Sequence, residues 1–341
     1  MAGSTGIEGN PLSAREVADV LAGGNVADRD SQREVLNYNE AMDVATTLAG
    51  RPDFTPEESL IQLLNAIVTR GTDVDTHGLY RAGPVSVGGA YTGPSHAAVP
   101  GLMAALVQWW RSSEDHPLIR SGLVHVNVAA IHPWDDGNGR SARILSSLVL
   151  MRTPLRNPEA INLESYFRAN RDDYFYRLAA SLGQTYQPDR HPVTEWLEYY
   201  VRVSVLRLVE AGRLFEGVRR DMGTILSALE EAGDPAVWAP ILFAATLYPL
   251  ETAAIARIQG RSEPTVRRML GEMVARGWLR REGVTRGTRY YAGDRLSLSL
   301  RTPALLGAMS AGYVQLEWAT DATWTEAAAV GAIRGAISTS D

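Results

Sequence analysis

One stretch near the middle of the chain constrains the fold more than any other: Ile131-His132-Pro133-Trp134-Asp135-Asp136-Gly137-Asn138-Gly139-Arg140-Ser141-Ala142-Arg143. Gly137-Asn138-Gly139 reads as a turn, because glycine accepts backbone angles that let successive N–H groups face one concavity. Arg140-Ser141-Ala142-Arg143-Ile144-Leu145 then reads as the first turns of a helix, whose N-terminus adds free donors and the positive end of a dipole. Arg140 and Arg143 are three apart, so they share a helical face and can fork phosphate oxygens together. Asp136 offers a hard oxygen ligand for Mg²⁺ between phosphates, and His132 can take a proton near neutral pH. The stretch therefore requires a loop-to-helix junction, and its chemistry suits a nucleotide with a base beside it.

These residues resemble the signature of the Fic family, H-x-F-x-[DE]-G-N-G-R-x-x-R. His132, Asp136, Gly137, Asn138, Gly139, Arg140 and Arg143 fall on its fixed positions, and Trp134 stands where the family has Phe. Glu34-Val35-Leu36-Asn37-Tyr38 and Asn170-Arg171-Asp172-Asp173-Tyr174 are similar to the family's core helices. The resemblance covers residues 1–205 and implies a mainly α fold, a Fic-type helical core with a β-hairpin flap. It further implies a protein adenylyltransferase that moves AMP from ATP·Mg²⁺ to a Ser, Thr or Tyr hydroxyl of a target protein, the chain itself included. By the same resemblance His132 is the general base and Asp136 the Mg²⁺ ligand. The amides of Gly137 and Gly139 and the Asn138 side chain would hold phosphates, with Arg140 and Arg143 on the β/γ end. Doc-type relatives, which move a terminal phosphate, resemble a version with lysine in place of Gly139, so the glycine favours nucleotidyl transfer.

Two further segments extend this resemblance. Ser4-Thr5-Gly6-Ile7-Glu8-Gly9-Asn10 is similar to the family's inhibitory motif [ST]-x-x-x-E-[GN], by which Glu8 would pair with Arg143 and deny it to the γ-phosphate. Between Leu79 and Tyr91, β-branched residues and glycines read as a short hairpin. The family's flap holds a target's backbone as an added strand, which here implies Val85, Ser86, Val87 and Gly88. His125, one step back along the helix into the motif, reads as a residue of the core or one that backs the site. Two alternatives stay open: the same site using another nucleotide donor or removing AMP with Glu8 positioning water, and a DNA-binding transcriptional regulator whose Fic core only senses nucleotide.

Composition narrows the chemistry. The 33 basic residues are all arginine, which removes the P-loop lysine, the kinase lysine and Schiff-base lysines. Without cysteine there are no thiolate nucleophiles, disulfides or cysteine–zinc sites. No basic segment leads into an apolar run at the N-terminus, and no run of 18 or more apolar residues suggests a membrane span, so a cytoplasmic enzyme is expected. A homodimer is the commonest assembly for such a chain.

Beyond the core, residues 206–249 read as a helical connector. Residues 250–296 then change character. Glu251 to Ala256 and Gly260 to Leu270 read as helix, turn, helix, with Ser262 as N-cap and Val266, Met269, Leu270 and Met273 as the buried stripe. Trp278 to Arg281 and Thr288 to Tyr291, joined through Gly283 and Gly287, look like a two-stranded wing, so the segment resembles a winged helix-turn-helix. Ten arginines against Glu263, Glu272, Glu282 and Asp294 give about +6 between Ile255 and Arg295, in a chain of net charge −6. That leaves DNA open as a partner beside dimerisation or target docking. The tail, residues 297–341 with Trp318 and Trp324, carries no assigned role.

Overall fold

The computed structural model describes residues 2–21, 23–153, 163–284 and 287–296. The tail that the sequence left without a role lies outside them. The chain divides into two compact units, Met1–Leu208 and Val209–Asp341.

The first unit is helical, with α1 (Ala2–Ile7), α2 (Ala14–Leu21), α3 (Arg29–Ala49) and α4 (Glu58–Thr69) leading to the flap strands β1 (Ser86–Val87) and β2 (Tyr91–Thr92). After them come α5 (Val99–Ser112), α6 (Pro117–Ile131), α7 (Asn138–Met151), α8 (Leu163–Ala169), α9 (Arg171–Leu182) and the start of α10 (Thr194–Glu231). Asp28 caps α3 by accepting from the Asp30 and Ser31 amides, and proline opens α5 and α6 where a missing N–H does no harm. The i, i+3, i+4 apolar stripes of α3 to α7 meet in one core that includes Tyr38, Leu64, Met103, Val128, Ile144 and Leu148. A second, aromatic cluster of Phe167, Tyr174, Trp196, Tyr199 and Tyr200 surrounds buried His125. The core reading of His125 therefore holds.

The hairpin is shorter than its sequence suggested, two residues on each side, with Ser86 opposite Thr92 and Val87 opposite Tyr91. Gly88 and Gly89 turn the chain with φ of 59° and 70°, the left-handed region where a side chain is strained. The far edge of β2 is already occupied. Thr92 N–H donates to Gln184 O at 2.9 Å, and Tyr186 N–H donates to Thr92 O at 3.0 Å.

The second unit holds the end of α10, α11 (Ala239–Leu247), α12 (Thr252–Gln259), α13 (Glu263–Ala275) and a wing of β3 (Leu279–Glu282) and β4 (Arg289–Ala292). The strands pair antiparallel, and Ser262 caps α13 by accepting from the Thr265 amide. Val266, Met269, Leu270 and Met273 are buried, as their spacing predicts. One expectation needs correction. The segment read as a connector is not separate, because Ile225, Leu229, Trp238, Leu242 and Ala245 share one core with Val266, Leu270 and Trp278. Buried Asp234 ties that segment to the module, accepting from Trp278 Nε1 at 2.6 Å and from Arg276. Helix α10 is continuous over 38 residues. Among the described residues, no helix is long and apolar enough to cross a membrane.

Candidate active site

His132 ends α6 in the left-handed region (φ 49°, ψ 61°), the one non-glycine among the described residues with positive φ. Such a conformation costs about 1–2 kcal/mol, so the surroundings must hold it. His132 N–H donates to Val128 O at 3.0 Å, and Arg81 Nε donates to His132 O at 2.8 Å. The ring Nδ1 lies 3.3 Å from Ala129 O. A carbonyl can only accept, so the proton sits on Nδ1 and Nε2 keeps a free lone pair. Burial, the main cause, holds the imidazole below its ordinary pKa despite the Ala129 bond that pulls the other way, and the Arg81 charge adds to the lowering. At neutral pH the ring is a neutral base.

The loop that follows is closed from within. Asn138 Oδ1 accepts from Trp134 N–H at 3.0 Å, and its Nδ2 donates to Trp134 O at 2.8 Å. Trp134 itself is buried and donates from Nε1 to Gly78 O at 3.3 Å, so the larger aromatic fits where phenylalanine stands in the family signature. Asn65 on α4 reaches the loop from below: its Nδ2 donates to Asp136 O (3.0 Å) and Ser141 Oγ (3.2 Å), while its Oδ1 accepts from Gly78 N–H (3.2 Å). Gly137 (φ 77°) is needed here, since a Cβ would lie 2.7 Å from Thr69 and 2.8 Å from Asn65.

Gly137 is the N-cap of α7, which has no side-chain cap. The amides of Asn138, Gly139 and Arg140 are therefore first-turn donors without an intrahelical acceptor. Two expectations change at this point. The Asn138 side chain does not reach toward phosphate, because both its ends close the loop. The Gly137 amide is also spoken for, donating to Asp136 Oδ1 at 2.6 Å. What remains for an anion is the main chain from Asn138 to Arg140.

Arg140 is more constrained than its sequence position suggests. Its Nη2 is 2.9 Å from both Asp136 oxygens, and its Nη1 is 3.0 Å from Glu34 Oε1. Its Nε is buried with no acceptor among the described residues. Arg143 is also buried and faces α1: Nε donates to Ser4 Oγ at 2.5 Å, and Nη2 donates to Ser4 O at 3.3 Å and Glu8 Oε1 at 2.7 Å. Burial alone would raise the Glu8 carboxyl, but the Arg143 charge and hydrogen bond outweigh it and keep Glu8 below the ordinary carboxylate range. The Glu8 carboxylate also lies against Gly139, where any Cβ would collide with it. Ser4 and Glu8 thus meet Arg143 across more than 130 residues of sequence.

Mg²⁺ usually takes one or two protein carboxylates and completes its octahedron with phosphates and water. Asp136, with 36% of its side chain exposed beside an uncapped helix N-terminus, fits that donor set. Among the described residues there is no cluster of three or more potential ligands. Sequence reasoning missed Asn65, Glu34 and Arg81, whose partners lie far away in the chain.

A helical domain with an uncapped loop-to-helix junction, followed by a winged helix, is the class that fold and site define. Residues 54–150 match the Fic/DOC family, and residues 224–283 match the IclR helix-turn-helix domain. Over residues 54–150 the chain is therefore similar to the Fic/DOC family. It is 30% identical over 157 residues to the protein adenylyltransferase Fic of Culex quinquefasciatus, across 44% of this chain and 31% of that protein. A probable protein adenylyltransferase of Aquifex aeolicus is 28% identical over 151 residues, across 43% of this chain and 47% of that protein. The chain thus matches less than half the length of these curated relatives. A Fic family protein from Desulfovibrio desulfuricans G20 shares the fold, with a TM-score of 0.52, 24% identity, and coverage of 86% of this chain and 84% of that one.

Proposed function

We propose that the chain is a protein adenylyltransferase held in check by Glu8. The observation that supports this best is the junction of α6 and α7, where a neutral histidine, an uncapped helix N-terminus and a buried arginine belong to one short stretch. Relatives named as protein adenylyltransferases point the same way. In the reaction, His132 Nε2 accepts the proton of a target Ser, Thr or Tyr hydroxyl while that oxygen attacks the α-phosphorus of ATP. The new P–O bond forms as the bond to the bridging oxygen breaks, and pyrophosphate leaves. The first-turn amides of α7 stabilise the phosphate oxygens, and Arg143 grips the γ end once it is released from Glu8. When bound at Asp136, Mg²⁺ supplies charge neutralisation on the departing pyrophosphate. The target enters as an extended segment on the open edge of β1, at Val85 to Gly88, since the β2 edge is taken.

The test uses full-length Glu8→Gly protein with ATP and Mg²⁺, read by intact mass for an added AMP and by transfer of α-labelled phosphate to lysate proteins. Both signals should vanish in Glu8→Gly/His132→Ala. Running each labelled nucleoside triphosphate in parallel tests the donor, and no label from any of them would sink the proposal.

A second reading concerns the second unit. Arg261, Arg267 and Arg268 are exposed at the start of α13, and Arg280 and Arg281 on β3. This is the recognition-helix and wing placement of duplex-binding winged helices. A salt-dependent gel shift that survives neutralisation of Arg267 and Arg268 would count against it.

A further inference from the structure

Arg81 stands at the foot of the flap, is 3% exposed, and is not one of the groups that touch the reacting atoms in the proposed reaction. A buried guanidinium ordinarily meets a carboxylate. Among the described residues Arg81 forms no ion pair, and its bonds go to main-chain carbonyls. Nε donates to His132 O at 2.8 Å, Nη1 to Gly83 O at 2.6 Å, and Nη2 to Pro94 O at 2.6 Å and, more weakly, to Ile131 O at 3.4 Å. Its own N–H donates to Pro133 O at 2.9 Å. Gly83 and Pro94 are the two legs of the hairpin, whereas Ile131 and His132 are the end of α6. A Cβ at Gly93 would lie 3.4 Å from Nη2 and 2.7 Å from Val85 Cγ1, so the fork is enclosed from the flap side too.

This arrangement does something that no neutral side chain can do. A guanidinium is a rigid plane whose donors point at fixed angles, so one residue sets the separation of three backbone segments at once. It also takes the orphan carbonyls at the C-terminus of α6, where the dipole is negative and a cation is favoured. The left-handed backbone of His132 is thereby held by the same group that holds both flap legs.

We propose that Arg81 is a positioning residue that sets the distance between a target segment docked on the flap and the imidazole of His132. The proposal rests on the reading that the β1 edge receives the target: the attacking oxygen then belongs to the flap side and the base to α6. Displacing reacting groups by an ångström can reduce a rate roughly a hundredfold.

Arg81→Lys keeps the charge and removes the fork, and the test is made in full-length Glu8→Gly protein. In hydrogen exchange, peptides covering 83–94 and 131–137 should both exchange faster, by about fivefold or more, while peptides of α3 and α5 stay as in the parent. AMP transfer should fall roughly ten- to a hundredfold while the dissociation constant for ATP stays within about twofold. Loosening of the flap peptide alone would overturn the proposal, as would unchanged transfer or a loss of transfer matched by loss of ATP affinity. If Arg81→Lys unfolds, Arg81→Gln keeps a planar amide with two donors in place of the fork and should loosen the same two peptides together. A Glu8→Gly parent without any AMP transfer would defeat the proposed function instead, and the exchange arm would still decide whether Arg81 couples the two segments.

Discussion

At the scale of single residues, two histidines seven apart on the same helix have opposite fates because of what surrounds them. His132 keeps one nitrogen free and is depressed in pKa chiefly by burial. Transfer needs the neutral ring, so the rate rises as pH passes upward through the folded pKa. That point lies below the ordinary value of about 6.5. The rate of Glu8→Gly protein should therefore be level from pH 7 to 8 and fall only on the acid side of 6.5, and an acid limb centred above 7 would contradict the assignment. His132→Ala should abolish transfer and leave ATP binding within about twofold in a titration, since the ring is not a phosphate ligand. His125, by contrast, has among the described residues a single hydrogen-bond partner, Tyr174 OH at 2.9 Å inside its aromatic cage, and burial brings it down to about 3. The unfolded chain binds a proton there that the folded chain refuses, so stability drops as pH falls from about 6.5, by about 1.4 kcal/mol per unit. His125→Phe should shrink the stability difference between pH 7 and pH 5 by about 2 kcal/mol in denaturant titrations. The catalytic stretch was legible because its glycines, base and arginines sit at fixed local spacings. Asn65 and Arg81 were not, because they bind main-chain groups, which carry no sequence pattern.

At the scale of elements, α1 is six residues long and could not persist alone as a helix. It persists because it is packed, with Ser4, Thr5 and Ile7 fully buried and Arg171 Nε donating to Ile7 O at 2.8 Å. Glu8, the residue after it, pairs with Arg143 at 2.7 Å. A charge-assisted bond of this kind contributes about 1.5–3 kcal/mol, less where Glu8 is partly exposed, so Glu8→Gly should raise the transfer rate roughly ten- to a hundredfold. Arg143→Ala should not mimic that activation, because it deletes the phosphate ligand together with the lock, and the double variant should behave like Arg143→Ala in the same radiolabel assay. A double variant as active as Glu8→Gly would remove Arg143 from phosphate binding. The segment around Glu8 was readable as a pattern. What the sequence withheld was the depth of its burial, which depends on α8 and α9, more than 150 residues away.

At the scale of the whole molecule, each unit has a core of its own, and α10 supplies both: Trp196 and Tyr200 to the first, Ile225 and Leu229 to the second. The helical period of that stretch was visible in the sequence, whereas the residue at which one core ends and the other begins depends on which faces α11 and α12 cover. A chain ending after Arg220 leaves the first core whole and removes the second without stranding half of it. It should keep self-modification in the Glu8→Gly background, as measured by intact mass; loss of activity with unchanged helicity would place the modified residue or part of the site in the second unit. The absent side chain at Gly139 has a consequence for how control can be lost by mutation. The space it leaves seats the Glu8 carboxylate and, in the proposed reaction, the phosphates, so on that proposal a substitution there would evict the inhibitor and spoil the catalyst together. Residues 3 to 8 are different, because a Cβ at Gly3 would strike the Glu164 backbone and one at Gly6 the Arg168 side chain, neither of which belongs to the reaction. In a screen of random variants for runaway activity, the hits should crowd into the first ten positions and leave Gly139 untouched.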